Sequence, residues 1–289
     1  MRRFVFTLVA ALVCAFASQA QLLWKISGNG AAKPSYIFGT HHIAPVSVLD
    51  SVAAFKDALA EVNHVYGEVV MADLMTPAGQ QKLMAAMMAP ADSTLAKVLT
   101  PAQADSVNTV LPMLAPGATV QMFDAFKPAM LNTALTAALS QKAFPDFNPG
   151  QQLDATVQQL ATEAGKEVGG LETVESQIQV LAGAPIADQV KDLMKVIADM
   201  DGNTEDAVRL AALYRKGDLQ GMLQMMDEET DSAVDLDRLL FSRNRAWIKR
   251  MAEQLPSGAY MYVVGAGHLP GEQGVIELLR KAGYTVTPM

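Results

Sequence analysis

Four histidines occur in the chain: His41, His42, His64 and His268. Two of them close the same short pattern. Tyr36-Ile37-Phe38 is an apolar, β-prone run followed by Gly39-Thr40-His41-His42, and Met261-Tyr262-Val263-Val264 is followed by Gly265-Ala266-Gly267-His268. Each reads as a strand and then Gly-x-x-His. Glycine lets a chain turn sharply off a strand end, which presents His42 and His268 at the rim of a sheet. An imidazole in that place can ligate a metal ion or exchange a proton near neutral pH. One such pattern arises by chance. Two copies that use two of four histidines point to a shared site, against the plainer alternative of two surface turns.

Glu68 supplies a third candidate. It falls inside His64-Val65-Tyr66-Gly67-Glu68-Val69-Val70, a β-prone run. On a strand, His64, Tyr66 and Glu68 share one face and Val65, Gly67 and Val69 the other. A carboxylate there is costly unless paired or bound, and two histidines with one carboxylate form a ligand set for a catalytic divalent ion with open positions. An edge-strand glutamate in water is the alternative, and His64 reads as a strand-end surface residue. Arg243 falls on a helical stripe with Leu236, Leu240, Trp247 and Met251. A guanidinium on a buried face needs an anion, from the protein or from a substrate; the alternative is an arginine whose head reaches past the stripe into solvent. Met84, Met87 and Met88 share a helical face and read as core filler rather than as thioether ligands. Gly265-Ala266-Gly267 lacks the rest of a phosphate loop, and neither a Gly-x-Ser-x-Gly elbow nor a cysteine nucleophile is available.

The elements that must hold these residues follow from periodicity. Leu22–Ser27 and Ser35–Phe38 read as strands joined through Gly28-Asn29-Gly30, a loop-linked hairpin. Asp50 or Ser51 is a candidate cap for a helix whose Val52, Phe55, Leu59 and Val62 form one stripe. The His64 run follows, giving strand, helix, strand. From Thr76 to about Ala164 the sequence is Ala-, Leu- and Met-rich with helical periods. Lys166–Leu171 reads as a strand, about Val174–Leu255 as helices, with the Arg243 helix over about Val234–Gln254. Tyr260–Val264 is a strand, Glu272–Lys281 a helix, and Tyr284–Thr287 a last strand. The reading is an α/β (α+β) protein: a mixed central sheet built from the N- and C-terminal segments, with a helical middle, about 75–255, forming a cap. A cleft is then expected between strand ends and helices.

Bulk properties narrow the function classes. Hydrophobic residues make up 51% of 289 positions, which suits a folded core rather than disorder. Arg2 and Arg3, the apolar run Phe4–Ala17 and Ser18-Gln19-Ala20 read as a secretory signal peptide over residues 1–20, leaving one domain over 21–289. The run is shorter than the roughly 20 apolar residues of a membrane span, and no later stretch offers one. The single cysteine, Cys14, lies in that leader after a bulky Val13, which disfavours lipidation, so the mature chain has no disulfide. Losing two arginines and no acids takes the formal net charge from −8 to −10. Such a surface repels phosphate backbones and excludes nucleic acid as a partner. The expected location is exported, periplasmic or secreted.

These motifs together resemble the TraB/GumN proteins, relatives of the Tiki metalloproteases and, more distantly, of the erythromycin-esterase and ChaN-like group. Gly39-Thr40-His41-His42 resembles the family's opening Gly-Thr-x-His and selects His42 over His41. Glu68 matches its strand glutamate. Gly165-Lys166 through Gly170-Leu171-Glu172-Thr173, with Gln177, resembles its middle motif. Arg243-Asn244 matches its late helix, and Val264-Gly265-Ala266-Gly267-His268-Leu269, Gly271 and Gly283-Tyr284 its ending. The resemblance implies a metal-dependent hydrolase, peptidase-like, with His42, Glu68 and His268 on a divalent ion such as zinc, manganese or cobalt and a peptide or other small hydrolysable substrate. Arg243 would stabilise an oxyanion or hold a substrate carboxylate, with Asn244 and Glu172 orienting the shell. The esterase branch implies instead a metal-independent His42/Glu68 hydrolase, and the ChaN-like branch a non-enzymatic haem or ligand binder.

Overall fold

The computed structural model describes residues 22–228 and 236–289. The leader, with Arg2, Arg3 and Cys14, and the beginning of the Val234 segment lie outside the described residues. The six strands are β1 (Leu23–Ser27), β2 (Ser35–Thr40), β3 (His64–Gly67), β4 (Glu167–Gly170), β5 (Tyr260–Gly265) and β6 (Thr285–Pro288), in the order β4-β3-β5-β2-β1-β6. The four strands β4, β3, β5 and β2 run parallel, while β1 is antiparallel to both β2 and β6. The sheet is mixed and the fold is α/β, with five strands drawn from the two ends of the chain and β4 from its otherwise helical middle. β5 is central and its Tyr-Met-Tyr-Val-Val is buried throughout, the unbroken apolar run that a strand covered on both faces requires.

Alternation along the strands feeds two helical layers. Phe38 packs on Phe55 with ring centroids 5.0 Å apart, and Gly67 faces Gln158; helices Phe55–Glu61 and Leu153–Glu163 cover this face. On the other face, the Tyr262 hydroxyl donates to Gln254 at 3.2 Å and Arg250 lies 5.8 Å from the Tyr66 ring. Helices Ser242–Gln254 and Val275–Lys281 lie on this side. The middle of the chain holds a second apolar cluster, which includes Leu95, Val107, Leu111, Leu131, Leu135 and Leu193, separate from the core around the sheet.

Several local expectations change. Neither Asp50 nor Ser51 caps a helix. Ser51 donates back to the Val48 carbonyl at 2.6 Å, Val52 is non-helical and buried, and the helix begins at Phe55 behind Ala54. Of the expected stripe, Val52, Phe55 and Val62 are buried and Leu59 is half-buried, but Val52 and Val62 flank the helix rather than belong to it. β3 ends at Gly67, so Glu68 stands just past the strand rather than within it. The C-terminal helix starts at Val275 rather than Glu272, after Gly271 at φ 84°. Met84 and Met88 do not fill a core: they are 53% and 39% exposed, Met84 on a helix (Pro77–Met87) that buries only Gly79 and Met88 just past its end.

Candidate functional site

Four parallel strands end at one edge, and each delivers a polar side chain just beyond its last residue. β2 and β5 are neighbours in the register Gly39↔Val264 and Thr40↔Gly265, so their two Gly-x-x-His loops leave the sheet side by side. β3 flanks β5 on the other side with Gly67↔Val263, which puts Glu68 level with the same edge. β4 pairs with β3, and beyond it the Glu172 N–H donates to the Glu68 carbonyl at 2.8 Å. Strand C-termini of a parallel sheet are where α/β folds place ligands. The chain after β3 is fixed by Gln158, which donates to the Val69 carbonyl at 2.8 Å and accepts from the Met71 N–H at 2.9 Å. A Cβ on Gly67 would lie 2.2 Å from that Gln158 amide, so only glycine admits the clamp.

His42 and His41 are adjacent but face different surroundings. The His41 ring packs between Phe144 and Tyr214, with centroids 4.8 and 5.4 Å away, and burial lowers its pKa to about 4. The His42 ring is 66% exposed, and its Nδ1 lies 3.1 Å from Oδ2 of Asp154. The other Asp154 oxygen accepts from the Thr40 hydroxyl at 2.7 Å. This carboxylate keeps the proton on Nδ1 and raises the His42 pKa to about 9. Nε2 is the nitrogen left for chemistry.

His268 is buried on Trp247, with ring centroids 4.4 Å apart. Its Nδ1 lies 2.6 Å from Oδ1 of Asn244, and as the amide oxygen can only accept, Nδ1 carries the hydrogen. The Asn244 amide donates to the carbonyls of His268 and Gln273, so Asn244 holds both the ring and its loop. Burial lowers the His268 pKa to about 3, and its Nε2 is a bare acceptor 3.7 Å from Oε1 of Glu68. Burial alone would raise the Glu68 carboxyl. The imidazoles of His268 and His42, the Arg243 guanidinium and the Gly265 N–H at 2.8 Å outweigh it and hold the group at about 2. The other Glu68 oxygen accepts from Gln177 at 3.1 Å and from Arg243.

The structure brings all four sequence-selected residues together. Oε1 of Glu68, Cδ2 of His268 and Nε2 of His42 lie 3.3, 3.6 and 3.8 Å from the position a Cβ on Gly265 would take. Arg243 stands among them. Its Nη1 reaches the Leu239 carbonyl at 2.8 Å and Nε2 of His268 at 3.1 Å, its Nη2 reaches Glu68 and Glu172, and its Nε reaches Glu172 at 3.2 Å. Leu239 belongs to a π-helical turn, Asp237–Phe241, that leads into the helix and turns its carbonyl toward this guanidinium. The five N–H donors of Arg243 meet five acceptors, so none is spare for an oxyanion or a substrate carboxylate as it stands. His64 is apart from this group, stacked on Tyr260 and 3.2 Å from Glu167.

The donor chemistry fits a divalent ion. Both imidazoles have Nδ1 held by a protein oxygen and Nε2 directed to the same region, and Glu68 is ionised beside them. Among the described residues no three such side chains are yet drawn close enough to enclose an ion. Arg243 supplies the positive charge there instead. The residues that sequence reading missed are Asp154 and Gln158. A signal existed: they are four apart on the buried face of their helix, beside Leu153, Val157 and Ala161. A cavity of about 820 Å³ lies elsewhere, lined by Leu49, Phe55, Leu59, Leu160 and Lys166 among others, and contains none of the polar cluster.

The model of the TraB/PrgY/gumN family matches residues 22–288. Similar curated proteins are Metalloprotease TIKI2 of Danio rerio, 24% identical over 91% of this chain and 60% of that protein, and Metalloprotease TIKI1 of Xenopus tropicalis, 25% identical over 93% and 62%. Metalloprotease TIKI1 of Homo sapiens is 23% identical over 91% and 61%. The chain thus spans about three-fifths of the length of these relatives. No solved structure matches the chain.

Proposed function

This chain belongs to the TraB/PrgY/gumN family, and we propose that it is a hydrolase, peptidase-like and dependent on a divalent ion such as zinc, manganese or cobalt, that acts outside the cytoplasmic membrane. Its similarity to proteins named metalloproteases supports the reaction class. The leader-like first 20 residues support the location, and among the described residues no helix is long and apolar enough to cross a membrane. The observation that carries the reading is the convergence of His42, Glu68 and His268 around Gly265 at the ends of three adjacent parallel strands.

In this reading Nε2 of His42, Nε2 of His268 and the Glu68 carboxylate hold the ion. A bound divalent ion supplies a lowered water pKa and polarisation of the scissile carbonyl. The protein contributes the rest. Asp154 and Asn244 fix the two tautomers, so that both imidazoles offer Nε2. Glu68, held at about 2, stays ionised and suits cation binding better than proton uptake. His42, raised to about 9, keeps its proton at neutral pH unless a cation displaces it. That weighs against the metal-free alternative, in which His42 must be an unprotonated base at the working pH.

The test is a chelation and restoration experiment on purified protein. Fragments of a peptide library are followed by mass spectrometry before chelation, after it, and after zinc, manganese or cobalt is returned. Cleavage should vanish on chelation, return with one of the ions, and be absent from a His42→Ala, His268→Ala double variant. Cleavage that survives chelation, or survives the double substitution, removes the proposal.

A further inference from the structure

The guanidinium of Arg243 occupies the ground between two of the three proposed ligands. Nη1 lies 3.1 Å from Nε2 of His268, the one lone pair that ring can offer while Nδ1 faces Asn244. Nη2 donates to Glu68. A third partner sits on the far side: Glu172 takes Nη2 at 2.5 Å and Nε at 3.2 Å through its two oxygens, a side-on pairing. The face of the guanidinium also lies 4.9 Å from the Trp247 ring centroid. If Arg243 withdrew from His268 and Glu68, the bonds to Glu172 and the Leu239 carbonyl would remain. Two carboxylates against one guanidinium leave one negative charge uncompensated, and the side chains of Arg243, Glu68 and Glu172 are only 11%, 7% and 8% exposed. Charges so shielded from water attract a further cation strongly.

We propose that Arg243 is a built-in counter-cation that competes with a divalent ion for Glu68 and His268, and that Glu172 is the carboxylate that retains Arg243 when the ion takes its place. The inference rests on the reading of this site as a metal centre. In the free protein, Glu68 and His268 are then held in position by a charge from the chain itself, and ion loading requires the guanidinium to give up two partners. The role has a sign that distinguishes it from support. Loss of a residue that props up a metal ligand weakens metal affinity roughly 10- to 100-fold. Loss of a competitor strengthens it.

Isothermal titration of chelator-treated protein with zinc ion reads that sign directly. Arg243→Gln should bind zinc at least about tenfold more tightly than the unaltered protein, with the gain abolished by adding His42→Ala and His268→Ala. Glu172→Gln should bind several-fold more weakly, because Arg243 then leans wholly on Glu68. If Arg243→Gln binds zinc equally or more weakly while the unaltered protein binds it through the two histidines, the counter-cation role is overturned and the metal centre stands. If no variant binds zinc in a histidine-dependent way, both ideas fall together. Should Arg243→Gln fail to fold by circular dichroism, Glu172→Gln decides alone, and an unchanged or higher zinc affinity in that variant overturns the proposal.

Discussion

The two Gly-x-x-His loops share their spacing, leave adjacent parallel strands and lie in register, yet they treat their histidines in opposite ways. His42 is open to solvent and tied to a carboxylate, which raises it to about 9. His268 is buried against Trp247 and tied to an amide, and burial lowers it to about 3. The motif therefore fixes where an imidazole stands, while the partner of Nδ1 and the depth of burial fix whether it holds a proton. At neutral pH one ring offers a permanent lone pair and the other holds a proton that a cation must displace. Glu68 lies between them and shares the Arg243 guanidinium with Glu172.

The strongest way to break this comparison is to remove the group both loops face. Glu68→Ala strips Arg243 of one of its two carboxylates in a buried setting. Breaking one partner from a buried ion pair typically costs about 3–5 kcal/mol, and the retained Glu172 should keep the loss near the lower end. Urea unfolding at neutral pH measures it, and a loss below about 1 kcal/mol would mean that the cluster is far better solvated than its geometry implies.

The next test uses the two opposite shifts. His268 is lowered from its ordinary 6.5 to about 3, so the unfolded chain binds a proton there that the folded chain refuses. Its contribution to stability is complete above pH 6.5 and is lost as the pH falls toward 3. His42 is raised, so its contribution is complete below pH 6.5 and is lost as the pH rises through about 9. His268→Gln keeps an acceptor for Arg243 but cannot titrate. Its unfolding free energy should lose up to a few kcal/mol less than the unaltered protein's between pH 6.5 and 3, at ~1.4 kcal/mol per pH unit. Equal acid slopes in the two proteins would refute the assignment.

A smaller and more local change converts one loop toward the other. Asp154→Asn replaces the carboxylate on His42 with an amide of the kind that serves His268. The leading cause of the upward shift disappears, so the His42 pKa should fall from about 9 to its ordinary 6.5 or below. Two-dimensional NMR of the imidazole through a pH titration follows it. A pKa that stays near 9 would assign the shift to Glu68 rather than to Asp154.

Much of this geometry can be read from short segments. The two strands ending in Gly-x-x-His, the placement of Glu68 on the Tyr66 side and the position of Arg243 beside Trp247 all follow from local periodicity, because alternation and helical spacing encode which way a side chain points. The partnerships do not. Asp154 lies 112 positions from His42 and reaches it only because helix Leu153–Glu163 crosses the sheet beside β3. The saturation of Arg243 depends on two carboxylates, an imidazole and a carbonyl from four separate segments. Asp50 and Ser51 looked like caps because their chemistry suits one; burial of Val52 instead set where that helix begins.

The smallest expected effect probes the space the two loops leave between them. Gly265 has φ −54°, which any residue tolerates, so backbone strain does not require glycine there. The space does: a Cβ would sit 3.3 Å from Oε1 of Glu68, tighter than ordinary contact, and 3.8 Å from Nε2 of His42. Gly265→Ala should therefore cost only about 1 kcal/mol of stability, measured by thermal unfolding. Its zinc affinity should fall by much more than that small loss suggests, because the methyl group would stand against the Glu68 carboxylate and both imidazole rings. A variant with lowered stability and unchanged affinity would put the ion elsewhere, and the likeness of the two loops would then concern only how a chain leaves a strand.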